Sequence, residues 1–161
     1  MRNSLKRIRD FLERKRRKPG RNLLIILAGS MIPSGFIADW NKTHLFNPQW
    51  TPHSKFHDAM TILQAFFLGT AGLYFLNKKD GDPNRNLALG TLLPALFWLS
   101  MLLAFTFPKT KGLEAEFPQK VPKLGPLWLN EAPASLLLLS LLAVGYFVEK
   151  KRLDLGKNKK P

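Results

Sequence analysis

The stretch LALGTLLPALFWLSMLLAFTF, Leu87 to Phe107, carries no charged residue over 21 positions, and its reading decides the fold. A bilayer's hydrocarbon core is about 30 Å thick and takes roughly 17 to 25 helical residues to cross, so this run is one passage long. Three more stretches have the same character, at about 22–38, 58–76 and 132–148. Inside hydrocarbon every backbone N–H and C=O must find a partner within the protein, which α-helices achieve without help from neighbours. The sequence therefore predicts an all-α integral membrane protein: a four-helix bundle in a single membrane domain over 1–161, with basic tails at 1–21 and 149–161.

The formal charge of +14 sits almost entirely in those tails. Residues 2–21 hold ten Lys and Arg against Asp10 and Glu13, and residues 150–161 hold six against Asp154. With three more in the loop 77–86, one side of the membrane collects 19 basic residues; the two remaining connections hold two and four. The positive-inside rule then places both termini and the middle loop in the cytoplasm, an arrangement that needs an even number of spans. Leu5, Ile8 and Leu12 recur at helical spacing beside Phe11, which predicts an interfacial helix ended by Pro19 and Gly20 that retains the tail inside and is drawn to anionic lipid. A cleaved signal peptide is not expected, because the first apolar stretch is long and lacks a small-x-small site.

Several function classes fall away on composition. The chain has no Cys, which removes disulfides and thiolate chemistry. The basic tails are not interleaved with stacking aromatics, so nucleic acid is not an expected partner. Intramembrane charges are few and no pair of broken helices is present, which argues against a transporter or channel. Gly29, Ser30, Pro33, Ser34 and Gly35 in the first span predict close helix approach and a kink near Pro33, and Pro94 leaves one carbonyl of the third span without its amide partner. Asp80, Gly81, Asp82 and Pro83 form a turn before an Asn cap of the third helix. Pro118, Pro122 and Pro126 keep the 23-residue loop from Pro108 to Asn130 from forming a long helix. That loop is read either as a functional cover or as an irregular connection anchored by Trp128, with a short turn at Gly112 to Phe117 and Asn130 at its end as a candidate cap of the fourth helix, ahead of Glu131.

The informative polar segment is ADWNKTHLFNPQWTPHSKFHD, Ala38 to Asp58, which contains every His of the protein. Thr51 followed by Pro52 is an N-cap and first helical position, so the second helix should begin before the membrane. His53 and His57 then share one face of its first turns, and Asn47-Pro48 offers a turn that brings His44 back toward them. Two His at i and i+4 with a third make an open site for Zn or Fe, so His44, His53 and His57 are candidate metal ligands. Ser54 stands where the HExxH signature carries Glu. His57, His53, Asp58 and Glu131 are the acid–base candidates; Asp39, Trp40, Asn47, Trp50, Gln64 and Trp98 are the ligand-contact candidates. Against this stands a plainer reading: an interfacial hydrogen-bond network with Trp40, Trp50 and Trp128 as headgroup-level anchors, and Gln64 as interhelical glue. Asn41, Lys42 and Thr43 also match a glycosylation sequon.

Asp39 to His57 resembles the hallmark D-W-N-x-T-H-x-F-N-P-x-W-x-P-H-x-x-F-H of a family of small polytopic membrane proteins built on a domain of unknown function. The resemblance implies a shared site or fold feature and brings no reaction with it. More distantly, the four-helix plan, the polar first connection and the basic cytoplasmic end are similar to the superfamily of emopamil-binding sterol isomerases and sigma-2-type receptors. That resemblance implies a sterol or cationic amphiphile among the helices. The isomerases place His and Glu one turn apart on the second helix; here Thr61 follows His57 by one turn, and spans two and three hold no acid after Asp58.

Three functions are expected in competition. The first is binding of a lipid, sterol or isoprenoid-like ligand near the extracytoplasmic His-rich site, with Phe66, Phe67, Trp98, Phe105 and Tyr146 as candidate cavity walls. The second is a membrane enzyme using the His cluster, with or without metal, on a lipophilic substrate. The third is a structural or accessory subunit whose outer loop docks a larger membrane partner; an oligomer is a further partner expectation. Membrane lipids are partners in every case.

Overall fold

The computed structural model describes residues 18–157; the expected interfacial helix at Leu5 to Leu12 lies outside them, as do residues 158–161. Four helices account for most of the described chain: α1 (Pro19–Asp39), α2 (Pro52–Asn77), α3 (Pro83–Ala104) and α4 (Glu131–Lys157). All four are long and apolar enough to cross a membrane. Each packs on its chain neighbours and α4 closes back on α1, so the bundle is an up-down-up-down ring. One end gathers the C-termini of α1 and α3 with the N-termini of α2 and α4; the other gathers the reverse.

The helix ends follow from local chemistry. Pro occupies the first turn of α1, α2 and α3, where its missing N–H costs nothing. The Thr51 hydroxyl accepts from the Ser54 backbone N–H at 3.2 Å, as its spacing predicts. The cap of α3 is Asp82 rather than an Asn, because its carboxylate reaches both the Asn84 and Arg85 amides and an acid also favours the positive helix end. Asn86 instead donates to the Asp80 carbonyl at 2.8 Å and closes the turn from within. The third helix ends at Ala104, three residues short of the expected span, in turns where Thr110 bonds the Ala104 and Phe107 carbonyls. The fourth continues to Lys157, so part of the basic tail is an extension of the span.

Two clusters fill the interior. Leu24, Ala28, Leu76, Leu87 and Leu142 form one; Met31, Ala65 and Phe97 form the other, nearer the α1–α2 connection, and Trp98 packs against both. Outward-facing side chains are equally apolar, among them Ile26, Phe67, Leu137 and Phe147, each more than half exposed. So large an uncovered apolar surface around every helix fits hydrocarbon and not water.

Lipid tails are as apolar as Leu, so nothing equivalent to the hydrophobic effect drives these helices together within a bilayer. Contact at small residues takes its place. A Cβ on Gly72 would meet the Pro94 ring at 2.6 Å, and one on Gly35 would meet the Ile62 Cα at 2.9 Å. Pro94 is thus seated against the neighbouring helix at the point where Gly72 leaves room for its ring. Gly72→Leu should destabilise the bundle by about 1 to 3 kcal/mol through overpacking, read as a lower melting temperature in detergent. Gly29→Ala, whose added methyl meets nothing within 4 Å, should leave that temperature unchanged.

Candidate functional site

The α1–α2 connection is a chain of side-chain hydrogen bonds that ends on one imidazole. Asn41 donates to the Ala38 carbonyl, and its Oδ1 accepts from the Thr43 amide at 2.8 Å and the Thr43 hydroxyl at 2.6 Å. Thr43, buried, holds His44 Nδ1 at 2.9 Å. Asn47, also buried, spans the turn: its Nδ2 donates to the Thr43 carbonyl and its Oδ1 accepts from the Gln49 amide. Trp50 meets the His44 ring edge-on at 5.7 Å. With Nδ1 fixed, Nε2 of His44 faces Asp39 Oδ1 at 3.7 Å.

The long connection is tied to α4 in the same manner. Asn130 Oδ1 accepts from the Ala132 amide at 3.0 Å, which makes it the expected cap, and its Nδ2 donates to Glu114 at 2.9 Å. Both Glu131 oxygens accept from the Leu113 amide, at 3.2 and 3.3 Å. Gly112 passes so close to the Glu114 and Glu131 carboxylates that a Cβ there would run into them. The loop itself comprises 3-10 turns at Leu113–Ala115 and Pro118–Lys120 and a two-stranded hairpin, β1 (Lys123–Leu124) against β2 (Leu127–Trp128). Gly125 turns the hairpin at φ 57°. Lys123 sits over the Trp128 ring, 4.6 Å from its centre, so Trp128 packs within the hairpin.

Together these segments line an open cavity of about 370 Å³ at the rim of the bundle. Asp39 and His44 reach it from the end of α1, Asn130 and Glu131 from the start of α4, and Lys120 from the loop. Phe97, Trp98 and Met101 of α3 form its apolar floor, and Val121 and Pro122 its cover. Its size lies within the range of small-molecule sites, and so does its composition, an apolar body with a few convergent polar groups. Asp58 stands within electrostatic reach of Asp39 and His44, and one of its carboxylate oxygens is enclosed with no hydrogen-bond partner among the described residues.

Several expected site residues lie elsewhere. His53 and His57 do share a helix face, with Nε2 atoms 3.1 Å apart, but both are exposed and pack with Phe56. His44 is held on the α1 side by Thr43, Asp39 and Trp50, so the three imidazoles are not brought together. Among the described residues no group of three or more His, Cys, Asp or Glu side chains is placed to hold a metal ion, and the Zn or Fe set of His44, His53 and His57 is not assembled. Trp40 is exposed and packs on Phe36 and Phe46, outside the cavity. Asn47 and Trp50 support His44 and do not line the cavity. Gln64 is exposed and makes no interhelical hydrogen bond among the described residues; with Thr61, Phe67 and Ser100 it lines a lateral groove of about 620 Å³ between α2 and α3. Of the expected aromatic walls, Trp98 lines the rim cavity, Phe67 lines the groove, and Phe66, Phe105 and Tyr146 line neither. The sequon's Asn41 amide is committed to the Ala38 carbonyl and its Thr43 is buried.

Sequence reading missed Lys120, Val121 and Met101 as wall residues, and the tie from Leu113 and Glu114 to α4. Glu114, an acid in a proline-punctuated loop that ends at Asn130 and Glu131, was the available signal.

Fold and site define a multi-pass helical membrane protein with a polar-rimmed cavity at one end of its bundle. Residues 24–160 match a family of unknown function (DUF6640), and the chain belongs to that family. No curated protein and no solved structure gives a significant match.

The loop anchors are testable alone. Removing the part-buried acceptors and donors in an Asn130→Ala, Glu131→Ala variant should cost about 1 to 3 kcal/mol of loop closure. Trypsin cleavage at Lys111, Lys120 and Lys123 should then rise about tenfold or more, since cleavage follows the open population, while cleavage at Lys78 and Lys79 should not change.

Proposed function

We propose that the protein binds a lipid-like amphiphile, a lipid, sterol or isoprenoid, with its apolar body on Phe97, Trp98 and Met101 and its polar end at Asp39, His44 and Glu131. The observation that carries this reading is one cavity with an apolar floor inside a membrane bundle and a polar rim at its edge. A ligand soluble in the bilayer can reach such a site without crossing water, and directed groups at the rim fix its orientation. Both termini lie in the cytoplasm and the rim faces outward, a placement supported by the 19-to-6 division of basic residues.

The specific pairing of Asp39 with His44 at the cavity mouth favours acid–base work on the bound amphiphile as the second reading. It moves the reacting imidazole from His57 to His44. In this second reading His44→Gln abolishes turnover and leaves binding within about threefold; in the first it affects binding alone.

A photoreactive lipid probe should label the purified protein saturably, with adducts on the Phe97–Met101 peptide, and Trp98→Ala should weaken labelling about tenfold through lost apolar contact. Labelling that excess unlabelled lipid does not reduce rejects the binding reading. Because the chain has no Cys, orientation is read from single substitutions. An impermeant maleimide added to intact cells should label Lys111→Cys and leave Lys79→Cys untouched; the reverse pattern inverts the topology.

A further inference from the structure

The opposite end of the bundle carries a second cavity, of about 360 Å³, with Lys18, Arg21, Lys78 and Lys79 in its lining. They arrive from two directions: Lys18 and Arg21 from the start of α1, Lys78 and Lys79 from the connection after α2. One carboxylate faces the same space, Glu149 on α4. It is buried and already engaged by Arg152, whose Nε lies 2.9 Å from one oxygen and whose Nη2 bonds the other. Among the described residues, none of the four cations has a carboxylate within 4.0 Å. Lys78 lies 5.6 Å from the centre of the Tyr74 ring, a contact that leaves its charge uncancelled.

The positive-inside rule accounts for many basic residues on this side, since it counts charges. It gives no reason for four of them to converge on one concavity whose single acid is already neutralised. With no carboxylate within 4.0 Å of any of them among the described residues they repel, and an anion with several acceptor oxygens would relieve that repulsion. Phosphate suits this set: a guanidinium binds it through two parallel hydrogen bonds, and ammonium groups add point charges. Phe75 and Leu87 continue the wall from the charged mouth toward the apolar interior. Basic pockets between membrane helices on the positively charged side are suited to acidic headgroups.

We propose that this cavity binds a phosphate-bearing anion, supplied by the headgroup of an acidic phospholipid whose acyl stem follows the Phe75 and Leu87 wall. The site is separate from the rim cavity and stands whether or not that cavity holds a ligand.

The test uses the full chain in neutral detergent, with phosphatidic acid, phosphatidylcholine and glycerol phosphate as probes, read by native mass spectrometry and thermal shift. Phosphatidic acid should bind and stabilise, and phosphatidylcholine should do neither. Arg21→Gln, Lys78→Gln, Lys79→Gln should weaken phosphatidic acid binding about tenfold or more. The charge-matched Arg85→Gln, Lys150→Gln, Lys151→Gln variant, altered at the same end but outside the cavity, should bind as the unaltered chain does. Equal losses in both variants would reduce the effect to diffuse surface attraction and overturn the site, as would equal binding of phosphatidylcholine. Glycerol phosphate competing at the same concentration as the lipid would overturn the lipid source in favour of a soluble phosphate. Should the triple variant not elute as a single species, Arg21→Gln, Lys79→Gln gives the same reading.

Discussion

Close approach of helices at glycine is the constraint on which both ends of this molecule depend. In a bilayer, association rests on dispersion contacts and hydrogen bonds, and both grow as backbones come nearer. Gly35 on Ile62 and Gly69 on the Ala28 carbonyl join α1 to α2; Gly72 on Pro94 and Gly90 on Leu76 join α2 to α3; Gly20 and Gly145 join α1 to α4. Three of the four seams meet at those levels, α4 packs on α3 with no glycine contact among the described residues, and the helix ends are held where their connections meet. Asp39 and Glu131 then reach the same rim although 92 residues separate them.

The polar segment after α1 is explained by what it supports. Asn41, Thr43, Asn47 and Trp50 spend their hydrogen bonds and ring contacts on a single side chain, His44, and on the turn that presents it. Buried polar groups specify a conformation only when each is satisfied, and here nearly every one has its partner. Charge divides along the same axis. The cavity at the end where α2 and α4 begin is lined by Asp39, Glu131, His44 and one lysine, Lys120, while the cavity where α1 and α3 begin is lined by Lys18, Arg21, Lys78 and Lys79 with one acid, Glu149, bonded to Arg152. A membrane between the two ends turns that division into two environments, each with its own cavity.

Most of the fold was legible because it rests on local chemistry. Uncharged runs of membrane length, Thr51-Pro52 as a helix start and Asn130 as a cap depend only on residues close in sequence, and the structure has them where those residues stand. What depends on direction in space was less legible. His53 and His57 were rightly placed on one face of α2, but nothing in the spacing tells whether that face looks inward, and it looks out. Gln64 was read as facing the bundle because polar side chains in hydrocarbon usually do; it opens instead onto the groove between α2 and α3. His44 was drawn toward the other imidazoles by the Asn47-Pro48 turn, whereas Thr43 and Asp39 hold it beside α1. The proline-rich loop had no periodicity to read, so its hairpin and its attachment to Glu131 emerge only in three dimensions.

A bilayer-embedded ring of four helices, closed at one end by an anchored loop, is most directly tested by hydrogen–deuterium exchange of the protein in lipid nanodiscs. Four blocks of slow amides are expected, within Pro19–Asp39, Pro52–Asn77, Pro83–Ala104 and Glu131–Lys157, with an intermediate rate for Leu113, whose amide is bonded to Glu131. Fast exchange throughout any one of the four would contradict the embedded ring, since a helix that opens to water at that rate is not held in hydrocarbon.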